Sequence, residues 1–149
     1  MAVFVINEWL WDDSSGQNGL LAQKEAFNLI TKLATSDHQI VVIEDSSFDQ
    51  KAWKLCKSTN RMIVQRIAAA YVANVRLNSD RCLILKPESI VGLPDELASA
   101  TKLDDHYLLR ALLSVSGGVL VTTDRPLREA ARKAGLSCLS REEFLATYF

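Results

Sequence analysis

The chain has 149 residues, 48% of them hydrophobic and 23% charged, proportions of one folded domain and not of a disordered segment. Its 17 basic and 18 acidic residues leave a formal charge of −1, which excludes a global electrostatic pull on nucleic acid, so any basic surface must be local. No apolar run approaches the roughly 18–20 residues of a membrane helix; Cys56, Cys82 and Cys138 fit neither a disulfide framework nor a zinc site and point to a reducing cytoplasm.

With no internal repeat, low-complexity tract or Pro/Gly-rich linker, residues 1–149 read as a single domain. The first six residues lack the basic lead of a signal peptide. Within them Val3–Ile6 is a continuous apolar run, the pattern of a strand covered on both faces. Trp9 and Trp11 flank Leu10, and an alternating, strand-like reading puts both on one side. After a turn at residues 16–19, Ala26, Phe27, Ile30, Leu33 and Ala34 recur at helical spacing. Residues 39–43, with the β-branched run Ile40, Val41, Val42 and Ile43, predict a second strand. A short helix is expected over residues 48–57 and a longer one from about Asn60, with Ile63, Ile67, Ala70 and Asn74 on one stripe. Residues 82–85 form a third strand stopped by Pro87, and residues 94–100 suit a short helix. Leu108, Leu109, Leu112 and Val115 mark a helix ended by Gly117 and Gly118. Val119, Leu120 and Val121 make a fourth strand that runs into Thr122, Thr123 and Asp124. A helix over residues 127–133, an edge strand at 137–139 and a last helix capped by Ser140, with Glu143 at its third position, complete the chain. Strands alternating with helices, several uniformly apolar, predict an α/β three-layer sandwich with a mostly parallel central sheet.

In such sheets ligands bind beyond the carboxyl ends of the strands, where the strand order reverses. Acidic residues gather where that edge is expected. Asn7 and Glu8 follow the first strand, with Asp12 and Asp13 close behind; Glu44 and Asp45 follow the second, with Asp49 beyond. Asp104 and Asp105 open the leucine-rich helix, and Asp124 follows the fourth strand. Hard cations such as Mg²⁺ and Mn²⁺ take oxygen ligands and keep waters that substrate phosphates replace. Without a metal, converging carboxylates repel one another; a cation reverses that logic. It also activates water for in-line attack on a phosphodiester. The acids therefore point to a divalent-metal phosphodiesterase site. Each also has a plainer role open to it. Asp104 and Asp105 suit a helix N-cap, as does Asp124 before Arg125 and Pro126, and Glu8, Glu44 and Asp45 suit solvated loops. Asp105 shares a stripe with Leu109 and Leu112, toward the buried side, where an unpaired carboxylate is costly.

Residues 104–111, Asp-Asp-His-Tyr-Leu-Leu-Arg-Ala, followed by residues 118–127, Gly-Val-Leu-Val-Thr-Thr-Asp-Arg-Pro-Leu, resemble the closing motifs of PIN domains. These are metal-dependent nucleases that include the VapC-type toxin ribonucleases. The match covers residues 103–128, with Asp124 19 residues after Asp105; elsewhere the order of elements alone agrees. The resemblance implies a PIN-like fold, an acidic pocket for Mg²⁺ or Mn²⁺, and endonucleolytic cleavage of RNA by a metal-activated water. Carried onto this sequence, it makes Asp105 and Asp124 metal ligands or water-orienting acids, with Asp104 beside them, and Thr122 the hydroxyl that buttresses the pocket. Where the family has an Asp after strand one this chain has Asn7, and Glu8 next to it is the preferred ligand. The family's middle acid falls nearest Asp49, with Glu44 and Asp45 as rivals. The implied partners are RNA, a second copy in a homodimer and an inhibitory antitoxin protein, in the cytoplasm and away from membranes. Two other readings are a PIN-like module that binds RNA or protein without cutting, and a receiver-like phosphotransfer domain.

Other residues invite binding roles. Arg61 and Arg76 fall within about 60° of each other around the third helix, as a solvated face or a track for an RNA backbone. Trp9 and Trp11 suit core or dimer burial, with base stacking as the rival. His106 beside Asp105 suits a hydrogen-bonded turn residue or an aid to proton transfer. No P-loop, dinucleotide fingerprint or Ser-His-Asp order is present.

Overall fold

The computed structural model describes residues 1–58 and 60–149. Strands β1 (Val3–Ile6), β2 (Gln39–Ile43), β3 (Cys82–Leu85), β4 (Gly118–Val121) and β5 (Cys138–Leu139) form a parallel sheet in the order β3-β2-β1-β4-β5. The helices are α1 (Trp9–Ser14), α2 (Leu20–Thr35), α3 (Ser47–Cys56), α4 (Met62–Tyr71), α5 (Asp95–Ala100), α6 (His106–Leu113), α7 (Arg125–Lys133) and α8 (Arg141–Tyr148). A π-helical stretch, Val72–Arg76, prolongs α4.

Strand side chains alternate between two cores. Phe4, Ile6, Ile40, Val42 and Val121 join the core built with α1, α2, α3, α4 and α8. Val5, Val41, Ile43 and Leu120 join the one built with α5, α6 and α7. Over β1, β2 and β4 both faces of the sheet are covered, which is why these strands read as continuous apolar runs instead of alternating ones; on the edge strand β3, Leu83 and Ile84 are exposed. The result is a three-layer α/β sandwich. From β1 the chain steps outward through β2 and β3, then crosses back to β4 on the other side of β1. The strand order thus reverses between β1 and β4.

The Trp9 segment is helical where alternation suggested a strand. The backbone turns directly after β1, and Glu8 O accepts the N–H groups of Trp11 and Asp12 at 2.9 and 3.2 Å. Both indoles are buried, which removes them from base stacking. Trp9 Nε1 donates to Val121 O at 3.1 Å and Trp11 Nε1 to Phe48 O at 3.0 Å. The capping box at Ser140 and Glu143 forms as its spacing predicts.

The expected basic stripe of Arg61 and Arg76 is corrected. Arg61 precedes α4, is exposed, and donates to Ser15 O. Past Tyr71 the helix widens, with Leu77 N–H bonded to Val72 O five residues back at 2.9 Å, and a widened turn shifts the phase of every later side chain. Arg76 is thereby carried inward. Its Nε and Nη2 donate to Asp49 Oδ1 and Oδ2 at 2.7 and 3.0 Å, in a pair 8% and 1% exposed. Removing one partner leaves a buried charge unmatched, so Arg76→Ala should lower the unfolding free energy by about 3–5 kcal/mol. Urea denaturation measures this; a change under 1 kcal/mol would show that the pair contributes little.

Candidate functional site

Register builds the site. Ile6 pairs with Val121, so the next residues, Asn7 and Thr122, meet at the carboxyl edge where the strand order reverses, the expected place for a ligand in an open parallel sheet. Asn7 N–H extends the ladder to Val121 O at 3.0 Å. Asn7 Nδ2 donates to Thr122 Oγ1 at 2.8 Å, and Asn7 Oδ1 accepts Glu8 N–H at 2.7 Å. Thr122, wholly buried, also accepts Asp124 N–H at 3.1 Å. One hydroxyl thus ties the end of β1 to the turn that carries Asp124.

Asp124 caps α7 through Oδ1, which accepts Leu127 N–H at 3.2 Å. Arg128, one turn into α7, donates to Thr122 O at 3.1 Å and fixes the same turn from the other side. Asp105 behaves differently. It stands at the N-cap position of α6 yet accepts no capping hydrogen bond, so its carboxylate is not spent on the helix. Asp105 and Asp124 line a cleft of about 200 Å³ together with Thr101, Lys102 and Pro126. Burial above all, then the negative charges of Asp124, Asp104 and Glu8, raise the Asp105 carboxyl above its ordinary range, while Lys102 acts the other way. Asp104 is exposed, outside the cleft lining, and acts on Asp105 through its charge.

Glu8 lies beside this cleft, not in its lining, and is held by α3. Its Oε1 accepts Ser47 Oγ–H at 2.6 Å and pairs with Lys51 Nζ at 3.1 Å. Asp49 is turned into the protein. Arg76 engages both of its oxygens, and Oδ2 also accepts Asp45 N–H at 3.0 Å. Glu44 and Asp45 are exposed beyond β2, and neither they nor Asp49 line the cleft. The His106 ring meets Ala98 O and Thr101 O at 3.2 and 3.4 Å, which ties the end of α5 to the start of α6.

Sequence reasoning gave no role to Ser47, Lys51, Lys102 or Tyr107. The Tyr107 hydroxyl is buried with no hydrogen-bond partner among the described residues. Burial first, then the charges of Glu8 and Asp105, push its phenol above the usual range, while the nearby Phe48 backbone acts the other way. Its place directly after Asp105 and His106 in a helical run gave no periodic signal.

The residues that line the cleft bring carboxylate and hydroxyl oxygens, with the Lys102 ammonium among them; oxygen is the donor that Mg²⁺ and Mn²⁺ take. Among the described residues no three His, Cys, Asp or Glu side chains stand close enough to hold one ion. Two carboxylates, Asp105 and Asp124, do share the cleft, and two suit Mg²⁺, which keeps several of its waters. The residues present fit such an ion. No family model and no curated protein matches the chain.

The raised Asp105 carboxyl has a consequence for stability. Its contribution is fully present below the ordinary value of 3.8 and is lost as pH rises through the higher folded value. In chelator, Asp105→Asn should therefore melt like the parent in acid and above it at neutral pH. Equal melting temperatures at neutral pH, from thermal scans of both proteins, would sink this account.

Proposed function

We propose that this protein is a PIN-type endoribonuclease that hydrolyses RNA phosphodiesters with Mg²⁺ or Mn²⁺. The observation that carries the reading is the pairing of Asp105 and Asp124 in one cleft at the strand-order reversal, with Asp105 free of any capping duty. That pair belongs to the stretch whose sequence resembles the PIN closing motifs.

When bound, the cation supplies a Lewis acid and a water activated near neutral pH for in-line attack on phosphorus. Asp105 and Asp124 would hold it; Glu8 and Asn7, both outside the cleft lining, are left to shaping the end of β1. Thr122 and Arg128 keep the Asp124 turn in place through hydrogen bonds at 3.1 Å. Lys102, on the cleft wall, offers a charge for an RNA phosphate. Asp49, matched by Arg76, is assigned to holding α3 and not to chemistry. In this reading RNA is the substrate, a homodimer and an inhibitory antitoxin protein are the partners, and the cytoplasm is the site of action. No helix among the described residues is long and apolar enough to cross a membrane.

A second reading has an observation of its own. Asn7 brings no charge, and Glu8 is already paired with Lys51; both suit a PIN-like module that binds RNA or protein without cutting. Labelled single-stranded RNA incubated with Mn²⁺ separates the two. The nuclease reading expects cleavage that chelator abolishes and that Asp105→Asn lowers by about 10²-fold or more, the loss of a few kcal/mol of transition-state stabilisation. Cleavage indifferent to both treatments rejects the metal mechanism, and binding without cleavage supports the module.

A further inference from the structure

Helix α7 carries four cations, Arg125, Arg128, Arg132 and Lys133, against one carboxylate, Glu129. That is a charge of +3 within nine residues of a chain whose formal charge is −1. Leu127 and Ala131 are buried and turn one side of the helix to the core. With 3.6 residues per turn, all five charged side chains fall on the other side, in an arc of about 140°. A charged outer face is ordinary for a surface helix, but such faces mix both signs, and this one is nearly all positive. It also starts at the site: Arg125 stands between Asp124 and Pro126, which line the cleft with Asp105 and Lys102. Its cations are committed to different degrees. Arg132 gives Nε and Nη2 to Cys138 O at 3.0 and 2.9 Å and pairs with Glu143 at 3.0 Å. Arg128 uses Nη1 on Thr122 O. Arg125, 79% exposed, pairs at 2.9 Å with Glu129, 65% exposed, and so open a pair exchanges readily. Lys133 is exposed and makes no ion pair among the described residues.

We propose that Arg125, Arg128 and Lys133 form a phosphate track that holds the backbone of an RNA strand beside the Asp105–Asp124 cleft. The inference rests on the RNA reading above and supplies the local basic surface that a chain of charge −1 needs for it. Guanidinium and ammonium groups that neutralise phosphates release condensed counter-ions, a gain independent of base sequence. Glu129 restrains the track, because its carboxylate holds the Arg125 guanidinium until a phosphate displaces it.

The test is fluorescence anisotropy of a labelled oligouridine strand with the full chain, from about 50 to about 200 mM salt. Chelator is present, so no cleavage intervenes, and circular dichroism checks that each variant folds. Arg125→Gln and Lys133→Gln should each weaken binding about fivefold at the lower salt, and the double variant should flatten the logarithmic salt slope by about 1.4. Glu129→Gln, which frees Arg125, should tighten binding about two- to threefold. Lys24→Gln and Arg66→Gln remove the same charge from exposed positions on α2 and α4, across the sheet from α7, and should change affinity less than about twofold. Equal losses from those two variants, or an unchanged slope in the double variant, overturn the track. Labelled polyglutamate bound more tightly than the oligouridine assigns the face to an acidic protein partner and overturns it as well. Mn²⁺-dependent cleavage is read separately. Its absence with the anisotropy results intact removes the nuclease reading and keeps the track; cleavage without those results removes the track alone.

Discussion

Four successive pairings, from Val3 with Gly118 to Ile6 with Val121, join the first strand of the chain to the fourth. Everything at the candidate site depends on that seam. Because β2 lies on the far side of β1, the segments leaving β1 and β4 diverge, one into α1 and one into α7, and a notch opens between them. A hydrogen bond of 2.8 Å from Asn7 to Thr122 joins the ends of the two strands. A one-residue slip of this register would exchange the two faces of β4 and send Val121, which belongs to the first core, toward the second. Packing on both sides of β1 and β4 therefore holds the ends of the two strands in register.

The carboxylates near this edge follow two physical regimes. Asp49 is fully desolvated and fully matched: two guanidinium bonds and a backbone N–H satisfy it, and it anchors α3 against the π-helical stretch. Asp105 is partly desolvated and poorly matched, with Asp124 and Glu8 adding to its burden and Lys102 easing it. An interior that places an arginine on one acid and leaves another without a partner separates a matched structural carboxylate from an unmatched one. Glu8 falls between the two, paired but at the surface.

The layered fold was legible in the chain because both faces of the central strands β1, β2 and β4 are covered. Val3–Ile6, the β-branched run in β2, and the strand entering Thr122 all carry the continuous apolar pattern that such burial demands. Turn chemistry marked the helix ends equally well, as at Ser140 and Glu143. Trp9 misled because two large apolar residues flanking a third carry no period by which to choose between strand and helix. Arg76 misled because its inward turn depends on a widened helical turn that ideal periodicity does not contain.

The sequence by itself determined the order of elements, the covered central strands and the closing stretch that holds Asp105 and Asp124, since local periodicity and capping act over a few residues. Only the tertiary structure decided which acids share a cleft. Asp49 was drawn to Arg76, Glu8 to Ser47 and Lys51, and Asp105 was left uncapped beside Asp124. Those outcomes turn on contacts between residues far apart in the chain, and charge pairing follows distance in space, which spacing along a sequence does not encode.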